Sequence, residues 1–317
     1  MSTIAGYDLI GDIHGYADPL EKLLEAMGYT FHHGVYHHPE RKVIFLGDFI
    51  DRGPKIYRVL EIARGMVESE NALAVMGNHE FNALAFHTSV NDRAHDSLRC
   101  RSIKNIRQHS ATLLQLTDSQ LADSLEWFRI LPMSAEIQGP NGTMCRAVHA
   151  CWDDKQIQCI ADAKANDPKF NDAFLAGATI EKSPLYNAVE IVLKGKELVL
   201  PGGKTFRDKE HHERNAIRAK WYAKPSFRTT YQDYALQSDP IDCPIEIDPE
   251  ECRKISAYPA TASPVFVGHY WLKADRPEQL APNVACLDYS VAKDGFLCGY
   301  RWDGEREIDD RKFVWCK

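Results

Sequence analysis

Three times within the first 80 residues, a short apolar run ends in a loop of Gly, Asp, Asn and His. Tyr7-Asp8-Leu9-Ile10 leads into Gly11-Asp12-Ile13-His14-Gly15, and Val43-Ile44-Phe45-Leu46 into Gly47-Asp48-Phe49-Ile50-Asp51-Arg52-Gly53. The third run, Ala72-Leu73-Ala74-Val75-Met76, meets Gly77-Asn78-His79-Glu80. After the first loop, Leu20, Leu23, Leu24 and Met27 recur at helical spacing, with Asp18 as the expected N-cap and Pro19 at the first helical position. After the second, Pro54 opens a stripe of Ile56, Val59, Leu60, Ala63 and Val67. Strand–loop–helix units in series predict an α/β fold with a mostly parallel, helix-covered sheet. Sheets of that kind offer ligand sites in the loops at the carboxyl ends of their strands.

The rest of the chain extends the pattern unevenly. Residues 31–39 read as a hairpin turning at His33-Gly34, and residues 91–132 as mostly helical. A fourth strand, Cys145-Arg146-Ala147-Val148, runs into His149-Ala150-Cys151-Trp152-Asp153. From about 155 to 260 the pattern weakens, which reads as an insertion packed over a single domain spanning 1–317. The core resumes at Pro264-Val265-Phe266-Val267, followed by Gly268-His269-Tyr270-Trp271 and two more strands near 284–287 and 296–302. With 44% hydrophobic and 26% charged residues, disorder and fibrous architectures are excluded. No apolar run reaches the ~18 residues of a membrane span, and Met1 to Gly6 lacks the marks of a signal peptide, so the cytoplasm is the expected location. Nine cysteines without a CxxC pair read as reduced thiols. A net charge of -7 argues against general nucleic-acid binding, though not against a small anionic substrate.

The loops together offer Asp12, His14, Asp48, Asp51, Asn78, His79, His149 and His269. Carboxylate, imidazole and amide donors suit borderline-hard divalent ions, with manganese the first choice and iron or zinc as alternatives. Two ions ~3.5–4 Å apart need a shared ligand, and Asp48, after the middle strand, is the natural bridge. Singly, Asp and Asn at such places cap turns; five strand ends each presenting a ligand type point to chemistry instead. His32, His33, His37 and His38 fall on a hairpin and read as solvated surface, as do His211 and His212 in a charged run. The aromatic residues Trp221, Tyr222, Phe227, Tyr231 and Tyr234 read as packing for the insertion, with stacking on a nucleobase as the alternative.

The three loop motifs, followed by His149 and then Gly268-His269, resemble the signature motifs of the phosphoprotein phosphatase (PPP) family of metallophosphoesterases, in the same order. Within it, Val267-Gly268-His269-Tyr270-Trp271 and Ala285-Cys286-Leu287-Asp288 are similar to the ending of bacterial diadenosine tetraphosphatases. The resemblance implies a four-layer sandwich, two mixed β-sheets flanked by helices, with two metals at one edge. It implies that Asp12, His14 and Asp48 hold one metal, and that Asp48, Asn78, His149 and His269 hold the other. A hydroxide bridging the metals would attack phosphorus, with His79 protonating the leaving oxygen and Asp51 orienting His79. Arg52 and Asn78 would contact the phosphate. A second arginine is expected where Asn215-Ala216-Ile217-Arg218 resembles that branch's Asn-Ala pair and arginine-rich helix; Arg218 is the candidate and Arg228 the reserve. The expected activity is hydrolysis of a phosphoester or phosphoanhydride, with a nucleotide such as diadenosine tetraphosphate as substrate. A protein serine/threonine phosphatase acting on phosphoproteins is the alternative, and an inactive binding scaffold the minor one. No membrane partner is expected.

Overall fold

A computed structural model of the chain describes residues 4–90, 93–165, 167–207, 213–236 and 241–317. His211 and His212 lie outside the described residues.

The strands of the central layers are β1 (Gly6–Ile10), β2 (Arg41–Phe45), β3 (Ala72–Ala74), β4 (Ser134–Gln138), β5 (Met144–Val148), β6 (Val265–Val267), β7 (Val284–Cys286), β8 (Asp288–Tyr289), β9 (Phe296–Trp302) and β10 (Phe313–Cys316). They form two mixed sheets. One runs β8-β9-β1-β2-β3, with β10 also paired to β9; the other runs β7-β6-β5-β4. β1, β2 and β3 are parallel neighbours, as are β5, β6 and β7, while β9 and β4 run antiparallel to β1 and β5.

Alternation along the strands sets the layers. Leu9, Ile44, Ala147, Phe266 and Ala285 join Cys298, Tyr300 and Trp302 in one buried cluster contributed by both sheets. Their neighbours Ile10, Val43, Phe45, Val148, Val265 and Val267 face the other way and pack with helix residues. These include Leu20, Leu23 and Leu24 of α1 (Ala17–Ala26) and Val59, Leu60 and Ala63 of α2 (Ile56–Glu68). The helix–sheet–sheet–helix sandwich bears out the fold that the motifs implied.

Local differences have local causes. α1 starts at Ala17, so Asp18 lies inside its first turn and pairs with Lys55 at 2.6 Å instead of capping. A carboxylate there still favours the positive end of the helix. α2 starts at Ile56, which leaves Pro54 outside. The hairpin forms from Thr30–His32 and Val35–His37, with His33 and Gly34 both at positive φ as a tight turn requires. Between β3 and β4 lie α3 (Asn78–His87), a short pairing of Ser89–Val90 with Arg93–Ser97, α4 (Ile103–Gln115) and α5 (Asp118–Ile130).

Residues 155–260 divide in two. α6 (Asp154–Lys164), α7 (Asp172–Ala178) and α8 (Pro184–Lys194) send Ile160, Phe174, Leu175, Val189 and Val192 into the main core. Further on, Leu200, Ile217, Tyr231, Tyr234, Cys243, Ile247 and Cys252 build a small cluster of their own. Trp221 is buried in the main core, where its indole Nε1 donates to Tyr270 Oη at 3.0 Å, while Phe227 is exposed. The segment expected to be an arginine-rich helix is a strand, Ala216–Arg218, paired with Glu197–Val199. Of its three residues only Ile217 is fully buried, while Ala216 and Arg218 are partly buried. All nine cysteines are free, and no helix among the described residues is long and apolar enough to cross a membrane.

Candidate active site

The carboxyl ends of β1, β2, β3, β5 and β6 meet at one edge of the sandwich. They bring Asp12, His14, Asp48, Asp51, Asn78, His79, His149 and His269 together, all buried. Several sit in backbone conformations that side chains of L-residues rarely adopt, with φ of 47° at His14, 54° at Asp48, 66° at Asp51 and 70° at both Arg52 and His269. Strain of this kind is kept where a site needs it. Two glycines permit close approach: a Cβ on Gly77 would lie 2.3 Å from Asp48 Oδ1, and one on Gly268 would lie 1.9 Å from Asp12 Oδ1.

Asp48 is the centre. Its Oδ2 lies 3.5 Å from His14 Nε2, 3.4 Å from His149 Nε2 and 4.0 Å from His79 Nε2. Two groups have donor atoms within 4.8 Å of one another, His14–Asp48–His79 and Asp12–Asp48–His149, and Asp48 belongs to both. His149 Nε2 and His269 Nδ1 approach Asn78 Oδ1 at 3.1 and 2.7 Å. The backbone N–H of His269 donates to Asp12 at 3.1 Å.

The tautomers follow from the outer contacts. His14 Nδ1 lies 3.0 Å from Ile50 O, and His149 Nδ1 lies 2.7 Å from Leu46 O. A carbonyl accepts, so both rings carry the proton on Nδ1 and turn Nε2 toward Asp48. His14 Nε2 and His269 Nε2 are buried without a hydrogen-bond partner among the described residues. A buried nitrogen lone pair beside carboxylates, with the other ring nitrogen tied to a carbonyl, is the arrangement of a metal-binding histidine.

Charge balance points the same way. Burial and the Asp288 charge push Asp12 well above the usual carboxylate range. Burial, with His79 adding to it, lowers His14 to about 3, leaving a neutral ring. Burial would also neutralise His149, but Asp48 and Asp12 outweigh it and raise that ring to about 10. The cluster thus demands positive charge, and a divalent cation would meet that demand better than a proton. The donor set therefore fits divalent metals.

His79 Nδ1 lies 2.5 Å from Asp51 Oδ2, which leaves Nε2 facing the cleft. Although burial opposes ionisation of Asp51, hydrogen bonds from His109 and His79 hold it well below the usual range. Arg52 lays its guanidinium over the Trp271 ring, 4.1 Å from the centroid. Arg218 lines the same cleft, with Nη1 donating to His269 O at 3.4 Å. Arg228 is exposed and lines no part of it. The histidines of the hairpin, His32 and His37 among them, join neither metal-competent group.

Sequence reasoning missed the second layer. His109 Nδ1 lies 2.8 Å from Asp51 Oδ1, the Thr112 hydroxyl donates to the same oxygen at 2.5 Å, and His109 Nε2 meets His87 Nε2 at 3.1 Å. Asp288 accepts the Trp271 N–H at 2.6 Å and so orients the loop beneath Arg52. Glu80, quoted in a motif but given no role, takes backbone N–H groups from Asp48 and Gly77 on Oε2 and from Phe49 on Oε1. Burial and Asp48 push it up to about 7. A Glu80→Gln variant would turn an amide NH2 toward N–H donors, and we expect it to cost about 1–3 kcal/mol in urea unfolding; an unchanged midpoint would deny Glu80 this role.

The description "calcineurin-like phosphoesterase" matches residues 7–175. Among curated proteins, the chain is 40% identical over 74 residues to the asymmetrical bis(5'-nucleosyl)-tetraphosphatase PrpE of Halalkalibacterium halodurans, covering 23% of this chain and 30% of that one. It is 43% identical over 74 residues to PrpE of Bacillus subtilis, with the same coverage. The match thus spans about 30% of these relatives' length. Among solved structures, a putative diadenosine tetraphosphatase aligns over 100% of this chain and 95% of its own at 16% identity and a TM-score of 0.46. A protein serine/threonine phosphatase from Saccharomyces cerevisiae aligns over 98% and 79% at 13% identity and a TM-score of 0.45. With the match from 7 to 175 covering more than half of its 317 residues, the chain belongs to the calcineurin-like phosphoesterase family.

Proposed function

We propose that the chain is a metal-dependent phosphohydrolase that cleaves a phosphoester or phosphoanhydride, with a nucleotide such as diadenosine tetraphosphate as its substrate. The observation that carries this reading is Asp48 Oδ2, set 3.4–4.0 Å from three imidazole nitrogens in a buried, strained cluster. Three imidazole nitrogens that converge on one carboxylate oxygen at this spacing could share a cation with it. In this reading Asp12, His14 and Asp48 hold one divalent cation, and Asp48, Asn78, His149 and His269 hold a second. A cation pair supplies water activation and neutralises phosphoryl charge; manganese is our first choice.

The chain's own residues do the rest. His79 carries a proton on Nε2 toward the leaving oxygen, while Asp51 fixes the ring through Nδ1. Arg52, braced on Trp271, grips phosphoryl oxygens, and Arg218, lining the same cleft, is the second candidate for that contact. The cleft, about 1220 Å³, is lined by Arg52, Arg99, Lys104, Arg107, Arg214 and Arg218, with Glu190 and Glu197 among its few acids. That balance supports an extended polyphosphate over a single phosphoserine.

The test is turnover with added Mn2+ of diadenosine tetraphosphate, a phosphoserine peptide and an aryl phosphate. We expect the dinucleotide to have the highest kcat/KM. A preference for the phosphopeptide would make the protein a protein phosphatase, and inertness toward all three would leave only a binding scaffold.

A further inference from the structure

Beyond the catalytic residues, the cleft wall is formed where α3 and α4 face each other. There the Arg99 side chain is half-buried, and its guanidinium is held entirely by neutral amides. Nη1 donates to Asn82 Oδ1 at 2.5 Å, and Nη2 donates to Asn105 Oδ1 at 3.0 Å and Gln108 Oε1 at 2.8 Å. Among the described residues no carboxylate lies within ion-pair distance of it. Burial pulls Arg99 below the ordinary arginine value, and the charges of Glu190 and Asp51, neither of them at ion-pair distance, offset this only in part. Leaving a guanidinium partly desolvated without a counter-ion is costly unless something else supplies the negative charge.

The amides add to the case. With their oxygens committed to Arg99, Asn82 and Gln108 retain NH2 donors that have no partner among the described residues. Asn105 differs, since its Nδ2 donates to Cys100 O at 2.7 Å. The wall therefore offers a guanidinium charge, with the Nε–H and one Nη1 N–H not spent on the amides, flanked by amide N–H groups, which is chemistry for a phosphate.

Position identifies which phosphate. Asn82 follows His79 by one turn on α3, so their side chains lie on one face, about 5–6 Å apart at Cβ. Gln108 precedes His109, whose ring supports Asp51. Arg99 is thus clamped between the same two helices as the His79–Asp51–His109 cluster, one turn further along. His79 addresses the leaving oxygen, so the group beyond His79 is the one that departs.

We propose that Arg99, framed by Asn82 and Gln108, is the subsite for the leaving phosphate, so that the site is built for phosphoanhydrides whose departing group is itself a phosphate chain. This rests on the reaction proposed above. A bond forms between water oxygen and phosphorus, and the bond from phosphorus to the bridging oxygen breaks. The departing phosphate takes the proton from His79, while a water proton passes to solvent. Exposed Lys104 and Arg107, on the cleft wall beside this subsite, extend the cationic track for the remaining phosphates.

The test compares kcat/KM for inorganic tripolyphosphate with that for p-nitrophenyl phosphate, with Mn2+ in excess, in the wild type and in Arg99→Met and Arg99→Lys. The ratio is internal to each protein, so partial misfolding does not move it. We expect the ratio to fall at least about tenfold in Arg99→Met, the scale of a lost charge-assisted hydrogen bond, and less in Arg99→Lys. A ratio unchanged within about twofold in Arg99→Met, while the wild type still cleaves tripolyphosphate, overturns this subsite and leaves the proposed reaction standing. A wild type that hydrolyses the aryl phosphate but no anhydride overturns the substrate reading itself, and the subsite with it.

Discussion

Replacing His79 with glutamine lowers kcat by about 100- to 10,000-fold, the range expected when a positioned general acid is removed. Glutamine fills similar space and places an amide near the old Nε2, but an amide cannot deliver a proton. The backbone N–H of residue 79 still donates to Asp48 Oδ1, so the metal cluster keeps its local support. The loss should depend on the leaving group: severe for an alkyl or unactivated aryl phosphate, slight for a dinitrophenyl ester that departs without protonation. Equal losses across that series would show that His79 acts as a ligand instead, a role its 4.0 Å distance from Asp48 Oδ2 would also permit. His109→Leu should follow the same leaving-group trend in weaker form, because Asp51 keeps its bonds to His79 and Thr112.

The second large effect concerns Asp48. At a cation concentration 100 times Kd, binding to the folded state alone adds about 2.7 kcal/mol of stability. Mn2+ should therefore raise the Tm of the wild type clearly. Asp48→Asn removes the one carboxylate common to both donor groups and should abolish most of that shift, together with turnover. Asparagine can still accept the His79 N–H through its amide oxygen, so the variant should fold. Differential scanning fluorimetry with and without Mn2+ checks this; a full Tm shift in Asp48→Asn would remove Asp48 from the centre of the site.

The gathering of most of the candidate metal ligands was legible in the chain because those residues directly follow apolar strands. Asp12, Asp48, Asn78, His149 and His269 each come just after a run that must be a strand, and parallel neighbours deliver those loops to one edge. The supporting groups gave no such cue. His109 and Thr112 lie in a helix some 60 residues from Asp51, and only the docking of α4 against the β2 loop brings them together. Arg99 is an ordinary loop arginine in sequence; its meaning comes from Asn82 and Gln108 on two different helices. Residues 155–194 follow no clear strand, so the sequence does not say how they pack; Val189 and Val192 belong to the main core. Arg218 was sought on a helix and found on a strand, since the alternation of Ala216, Ile217 and Arg218 is too short to settle the period.

The central claim is that Asp48 joins two cation sites. Anomalous X-ray diffraction from crystals grown with Mn2+ tests it most directly. The account predicts two anomalous peaks, both in contact with the Asp48 carboxylate, one beside Asp12 and His14 and the other beside Asn78, His149 and His269. A pocket without peaks at saturating Mn2+, or peaks that do not touch Asp48, would contradict it.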